Sequence, residues 1–156
     1  MADDIALLRK SIEVGIAARA AGNHPFGAVL ADVDGNILMT MENAHTVDKG
    51  PGHAEANLAR EAARTYDEAF LNTCTLYSAF EPCSMCSGTI YWAGIGRLVF
   101  GVTEHRLAEL TGDNPENLTM SLPCRDVLRA GQRDVVVEGP FLELETEIVK
   151  SHEGFW

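Results

Sequence analysis

Two short motifs, thirty positions apart, constrain the fold of this chain more than any other feature. The first is His53-Ala-Glu55 and the second is Pro82-Cys-Ser-Met-Cys86. Two cysteines one helical turn apart can present both thiolates to one ion, and an imidazole can complete a set of three zinc ligands. The chain must therefore fold so that His53 meets Cys83 and Cys86, with Glu55 beside them.

The ligand count indicates a catalytic zinc site with one Zn²⁺ per chain. Three protein ligands leave the fourth tetrahedral position open for water, which a bound zinc ion makes more acidic. The carboxylate of Glu55 is then free to move protons, and His-x-Glu followed by Pro-Cys-x-x-Cys is a signature of zinc deaminases. A closed structural site would need Cys74 or Cys124 as a fourth ligand, and a redox Cys-x-x-Cys would leave Glu55 unexplained.

The composition is that of an ordinary globular protein. The chain has 156 residues, of which 46% are hydrophobic and 22% are charged, and this length fits a single domain over residues 1–156. No apolar run approaches the roughly 20 residues that cross a bilayer, and the start of the chain lacks the positive region of a secretory signal. With two of the four cysteines in a metal motif, we expect a cytoplasmic protein without a membrane partner.

The charge balance favours a small neutral substrate. Twelve Lys and Arg residues are set against twenty-three Asp and Glu residues, which gives a formal net charge of −11. Nucleic-acid binding draws most of its affinity from basic side chains beside phosphates, and no basic run is longer than Arg9-Lys10. The sequence therefore predicts no nucleic-acid partner, and a base or nucleoside fits better than a tRNA or DNA strand.

Helix and strand patterns alternate along the chain, which predicts a central sheet covered by helices. Asp3 or Asp4 can cap a first helix that ends at Gly22-Asn23. Strands are predicted over residues 26–33 and 37–41, joined by a hairpin turn, and over 75–80, 97–102 and 134–138. Further helices are predicted over about 53–64, 82–94, 126–130 and 142–150, with residues of about 140–156 forming a C-terminal helix and an active-site lid.

Several motifs, in the same order, resemble the cytidine deaminase-like superfamily of zinc deaminases. Besides the two zinc motifs, they are His24-Pro-Phe-Gly-Ala-Val29, Asn43, Ile90-Tyr-Trp-Ala93 and Arg97-Leu-Val-Phe-Gly101. The resemblance spans about residues 5–105 and implies an α/β fold, a three-layer αβα sandwich with a central mixed five-stranded sheet, assembled as a homodimer or a higher oligomer. The branch of bacterial guanine deaminase and nucleoside deaminases is the nearest likeness.

By that resemblance, three residues near the zinc motifs would bind the substrate. Phe26 would stack on its ring, Asn43 would hydrogen-bond its edge, and the main-chain N–H of Ala54 would contact a carbonyl oxygen. The residues themselves leave alternatives open, since Phe26 could be a core residue and Asn43 could simply end a strand.

The same resemblance implies three further substrate contacts. Trp92 would line the pocket, the acid near Asp113 would bind ring N–H and amino groups, and Trp156 would close the site, in the family often from the neighbouring subunit. Read locally, Trp92 could pack in the core, Asp113 could cap or turn its loop, and Trp156 could merely dock.

The other histidines and cysteines lie outside these motifs. His45, His105 and His152 are expected at the surface, and Cys74 and Cys124 are expected to be buried as small apolar residues.

The sequence thus predicts a zinc-dependent aminohydrolase that removes an amino group from a small nucleobase or nucleoside as ammonia. Guanine to xanthine is the favoured reaction, and cytosine, cytidine, guanosine or another aminated heterocycle is the alternative. A more distant alternative is a zinc-stabilised scaffold without activity, for which Glu55 would have no use.

Overall fold

The computed structural model describes residues 2–156, which form a five-stranded mixed sheet between two layers of helices. The strands are β1 (Gly27–Ala31), β2 (Ile37–Glu42), β3 (Thr75–Phe80), β4 (Arg97–Val102) and β5 (Val136–Glu138), in the spatial order β2-β1-β3-β4-β5. Strand β1 runs antiparallel to β2 and β3, whereas β3, β4 and β5 run parallel. The three-layer fold predicted from the sequence is confirmed.

Eight α-helices surround the sheet within residues 2–156. They are α1 (Asp4–Ala20), α2 (His45–Asp48), α3 (Ala54–Thr65), α4 (Glu68–Leu71), α5 (Ser84–Ala93), α6 (Glu104–Thr111), α7 (Cys124–Arg129) and α8 (Glu145–Ser151). Side chains of α1, α6 and α8 pack on one face of the sheet, and those of α3, α5 and α7 pack on the other.

Alternating side chains of the central strands supply both cores. In β1, Ala28 and Leu30 belong to the core beneath α3 and α5, whereas Val29 and Ala31 belong to the core beneath α1. All four are fully buried, because successive residues of a strand point to opposite faces. A strand covered on both faces is therefore apolar throughout, as predicted for 97–102.

Gly27 allows α1 to lie against the start of β1. A Cβ atom at Gly27 would lie 2.6 Å from the main-chain nitrogen of Gly15 and 2.7 Å from the carbonyl oxygen of Ser11. Such a contact is shorter than atoms tolerate, so a larger residue would force the helix and the strand apart. Phe26 immediately precedes this close approach, just before the start of β1.

Most predicted elements are confirmed to within a few residues, and the strands at 75–80 and 97–102 have the predicted bounds. The segment after β4 departs from the prediction, because it forms helix α6, for which the sequence predicted no regular structure. The hydroxyl of Thr103 accepts a hydrogen bond from the main-chain N–H of Arg106 at 3.1 Å and so caps this helix. Only Leu107 of its larger apolar residues is buried, which explains the weak pattern.

Candidate active site

The zinc motifs meet where two helices begin. His53 is the N-cap of α3, Cys83 is the N-cap of α5, and Cys86 lies in the first turn of α5. The Nδ1 atom of His53 lies 3.4 Å from the Sγ atom of Cys83 and 3.4 Å from that of Cys86. The two Sγ atoms are 3.6 Å apart, so three ligand atoms form one compact face.

The spacing of these atoms fits a zinc ion. Zinc–sulfur and zinc–nitrogen bonds at tetrahedral angles place ligand atoms about 3.5–3.8 Å apart, close to the separations in the structure. A hydrogen bond from the Cys86 thiol, together with one from His53, lowers the pKa of Cys83 to about 4. Since zinc binds thiolates, this environment favours the ligating form of Cys83.

Glu55 lies beside the three ligands and is almost completely buried. Its Oε1 atom is 2.7 Å from the Oγ atom of Ser78, which is also 2.7 Å from the carbonyl oxygen of Phe80. A hydroxyl has one proton, so when Ser78 donates to Phe80, the carboxyl of Glu55 must itself donate to Ser78. Burial raises the pKa of Glu55. The hydroxyl of Ser78 can form a hydrogen bond with either the ionised or the protonated carboxyl group, because it can both donate and accept.

A cavity of about 370 Å³ opens over the zinc motifs. Phe26, Asn43, His53, Glu55 and Cys83 line it, as do residues that the sequence did not single out for this site: His24, His45, Gly50, Pro51, Phe80, Glu81, Met85, Glu104, Leu107, Glu116, Asn117, Leu118, Thr119 and Met120. Carboxylates, imidazoles and aromatic rings thus face the space in which a substrate would meet Glu55.

The side chain of Asn43 presents its amide nitrogen to this cavity. Asn43 is 2% exposed, and its Oδ1 atom accepts hydrogen bonds from the main-chain N–H groups of His24 at 3.3 Å and His45 at 2.9 Å. With the oxygen engaged twice, the NH₂ group remains to donate to a ligand. Ala54 is fully buried at the first position of α3.

The C-terminal aromatics dock on the same chain beside the cavity. Trp156 donates from Nε1 to Nδ1 of His152 at 2.9 Å, and its ring meets the ring of His24 edge-on at 5.1 Å. Phe26 lies 6.1 Å from the Trp156 ring and packs edge-on against Phe80 at 5.6 Å. Trp156 thus lies next to two residues of the cavity wall, His24 and Phe26, but does not itself line the cavity.

Two predicted substrate residues lie elsewhere. Trp92 is 75% exposed, because it lies two residues after the buried Ile90 and so points away from the core side of α5. Asp113 is exposed in the loop after α6 and does not line the cavity. The acid that this loop does bring to the cavity is Glu116, whose main-chain N–H donates to Oδ1 of Asn114 at 3.0 Å.

The expectation that His45 and His152 lie at the surface is wrong. His152 is 3% exposed, and His45 is half-buried in the cavity wall. Neither histidine belongs to a sequence motif, so the sequence could not predict the burial, which comes from contacts with residues distant in the chain. Cys74 and Cys124 are fully buried, as predicted.

Two buried acids near the cavity also escaped prediction. The carboxylate of Glu81 accepts hydrogen bonds from the main-chain N–H groups of Glu104 at 3.0 Å and Cys124 at 2.8 Å, and so joins the starts of α6 and α7. Burial, with the negative charges of Cys83 and Glu81, raises the pKa of Glu104 to about 8. Glu81 directly precedes the Pro82-Cys-Ser-Met-Cys86 motif, which could have indicated a role near the site. Glu104 lies in no motif that could have indicated one.

The docked tail should make stability depend on His152. Nε2 of His152 donates to the carbonyl oxygen of Pro25 at 2.9 Å, and Nδ1 accepts from Trp156, which only a neutral ring can do. Burial lowers the pKa of His152 from 6.5 to about 4. Its contribution is therefore complete above pH 6.5, the unfolded-state value, and declines as the pH falls towards 4.

We expect urea unfolding to reveal this dependence. Between neutral pH and about pH 5, the wild-type protein should lose about 2 kcal/mol of unfolding free energy relative to His152→Gln. The exposed His105 offers a control, because His105→Gln should retain the wild-type pH profile. Identical profiles for wild type and His152→Gln would contradict the assignment of a neutral, buried ring.

Comparison with known proteins identifies relatives of this chain. The family model for the cytidine and deoxycytidylate deaminase zinc-binding region matches residues 1–102. A probable cytosine deaminase of Schizosaccharomyces pombe is 37% identical over 98% of this chain and 92% of its own length. A tRNA-specific adenosine deaminase of Haemophilus influenzae is 38% identical over 66% of the chain, and a guanine deaminase of Bacillus subtilis is 40% identical over 56%. These two matches span 60% and 56% of the relatives' own lengths.

Solved structures share the fold. The guanine deaminase of Nitrosomonas europaea superposes with a TM-score of 0.73 over 97% of this chain and 85% of that protein, at 22% sequence identity. At 22% sequence identity, this comparison shows a shared arrangement of sheet and helices.

Proposed function

The chain belongs to the cytidine and deoxycytidylate deaminase family of zinc-dependent enzymes, and on this premise we propose that it hydrolyses the amino group of a free nucleobase, with guanine as the first candidate. The observation that carries the proposal is the pairing, in one cavity, of an Asn43 donor and a Glu116 acceptor with Glu55 and the zinc ligands. Guanine offers a carbonyl oxygen to the donor and ring N–H groups to the acceptor.

Glu55 carries the protons of this reaction. His53, Cys83 and Cys86 would hold the zinc ion, which would make a bound water nucleophilic near neutral pH. Glu55 accepts a proton as the water oxygen bonds to the amino-bearing carbon, and delivers it to the adjacent ring nitrogen. It then moves the proton of the new hydroxyl to the amino group, which leaves as ammonia while the carbonyl forms.

The other wall residues would orient the base. The NH₂ group of Asn43 donates to a carbonyl oxygen, and the carboxylate of Glu116 takes the role that the sequence had suggested for Asp113. Phe26 offers an aromatic face, and the main-chain N–H of Ala54 lies at a helix start, where N–H groups lack helical partners. Trp156 would act as a lid on its own chain, since its ring packs on His24, a residue of the cavity wall.

Cytosine is a second candidate, which one observation favours. The relative described as a probable cytosine deaminase aligns over 98% of the chain and so includes most of the segment that supplies Glu116 and the C-terminal tail. The guanine deaminase relative aligns over 56%. The family also includes enzymes of tRNA, but the net charge of −11 disfavours a polyanionic substrate here.

Ammonia release from a panel of free bases and nucleosides tests the proposal. We expect turnover of guanine, with guanosine and cytidine poor because a sugar would meet the docked tail. The Glu55→Gln variant serves as the inactive control for background ammonia release. Turnover of cytosine without guanine would replace the first candidate by the second, and turnover of nucleosides alone would refute the free-base assignment.

We also propose that the enzyme is a homodimer that buries an exposed face of α5. Met85 is 39% and Trp92 75% exposed, and seven residues place them on the same side of the helix. Sedimentation equilibrium should find Trp92→Glu monomeric and Trp92→Phe dimeric. A wild-type protein that is monomeric at all concentrations would contradict this.

No helix formed by residues 2–156 is both long and apolar enough to span a membrane. A cytoplasmic location remains part of our proposal, because reduced thiolates are required as zinc ligands.

A further inference from the structure

Two imidazoles and a carboxylate meet on the cavity wall, apart from the three ligands of the zinc motifs. Oε1 of Glu116 lies 3.0 Å from Nε2 of His45 and 3.5 Å from Nε2 of His24. The three groups come from separate parts of the chain, and each offers one ligand atom within 4.8 Å of the other two.

We propose that His24, His45 and Glu116 form a second zinc site, whose occupation inhibits the enzyme. Two histidines and one glutamate are a known zinc ligand set, with the fourth position left to water. Zinc–nitrogen and zinc–oxygen bonds at tetrahedral angles place such atoms about 3.3–3.5 Å apart. The two distances to Glu116 bracket this spacing, and the two stacked imidazoles must tilt apart so that both Nε2 lone pairs point at the ion.

The main chain of both histidines is already held at the cavity wall. Asn43 binds the main-chain N–H groups of both through one oxygen, and the rings are stacked with centroids 4.0 Å apart at an interplanar angle of 19°. His24 is 5% exposed, and the rings of Phe155 and Trp156 meet it edge-on at 5.6 and 5.1 Å. The main chain is thus pre-organised, and metal binding requires rotation of the side chains alone.

Protonation and charge favour a cation here. Burial, and secondarily the neighbouring His45, lowers the pKa of His24, which keeps this ring in the neutral form that binds metal. The carboxylate of Glu116 adds a negative charge, and its side chain is 58% exposed, so it can adjust to an ion that enters from solvent. The strongly acidic chain favours the approach of cations as well.

Inhibition follows from the shared cavity and rests on the proposed function, in which Glu116 accepts hydrogen bonds from the base. A zinc ion bound to this carboxylate removes that acceptor and occupies space beside Asn43. Excess zinc should therefore compete with the substrate, raising the apparent KM while leaving kcat unchanged, and bound substrate should in turn exclude the second ion.

Calorimetric titration of Zn²⁺ into the protein already loaded with one zinc per chain tests the inference. We expect a second equivalent per chain, weakened more than about tenfold in both His45→Ala and Glu116→Gln. The exposed His105 gives the matched control, since His105→Ala should bind the second equivalent like wild type. Glu116→Gln changes an exposed side chain and leaves folding intact.

A spectroscopic titration identifies the ligands. Co²⁺ added to the same zinc-loaded protein should show d–d bands without thiolate-to-metal charge transfer, because the second site holds no sulfur. Absence of a second equivalent, unaltered binding in both variants, or a charge-transfer band would overturn the proposal. These metal readouts require no turnover, so failure of every base in the substrate panel would refute the proposed function alone.

Discussion

Replacing Glu55 by glutamine is expected to lower kcat on the order of 10⁴-fold while zinc content and folding are retained. Glutamine has nearly the same volume and can still accept a hydrogen bond from Ser78, which lies 2.7 Å from Glu55 in the wild-type protein. It cannot accept a proton, and the proposed reaction uses this group twice, first as base and then as acid. Each such role typically contributes 10²–10⁴-fold.

Three measurements separate this effect from a structural one. Ammonia release gives kcat, elemental analysis gives zinc per chain, and thermal unfolding gives Tm. Ser78→Ala serves as the matched control, because it removes the hydrogen bond but keeps the carboxylate, and we expect a loss of about tenfold, in line with one hydrogen bond. Turnover of Glu55→Gln within tenfold of wild type would show that another group moves the protons.

Replacing Cys86 by serine is expected to abolish both zinc binding and activity. Cys86 is fully buried, and its Sγ atom lies 3.4 Å from Nδ1 of His53 and 3.6 Å from Sγ of Cys83. A serine hydroxyl does not ionise near neutral pH, and its hard oxygen is a poor substitute for a thiolate. Two remaining ligands would not retain the ion, so Tm should fall as the contribution of zinc to folding is lost.

The same cysteine-to-serine change at Cys74 is the matched control. Cys74 is also fully buried, but its Sγ atom donates to the carbonyl oxygen of Phe70, a contact that a serine hydroxyl can reproduce. Cys74→Ser should therefore keep one zinc per chain and wild-type turnover. If Cys86→Ser also kept one zinc per chain, the ligand set inferred here would be wrong.

The zinc motifs could be predicted from the sequence because their geometry is largely local. Cys83 and Cys86 are neighbours on the first turn of one helix, and His53 and Glu55 belong to the first turn of another. Spacing along a helix fixes which side chains share a side. The only non-local requirement was that the two helix starts meet, which the ligand chemistry itself demanded.

The substrate side of the cavity was harder to predict, and Asp113 and Glu116 show why. Both belong to the loop that follows α6, three residues apart, and no periodic pattern tells which of them faces inward. The turn at Asn114 decides this, through the bond from the main-chain N–H of Glu116. The position of Trp92 outside the cavity has a similar reason, since an aromatic residue on an apolar helix does not show which face that helix buries.

By itself, the sequence determined the family of this protein, its three-layer fold, and the candidate zinc ligands with Glu55 beside them. Only the tertiary structure decided what surrounds these residues. His24, His45 and Glu116 lie far apart in the chain, and His152 reaches Pro25 across 127 positions. Contacts of this kind leave no local pattern, because the buried state of each group depends on a partner from another segment.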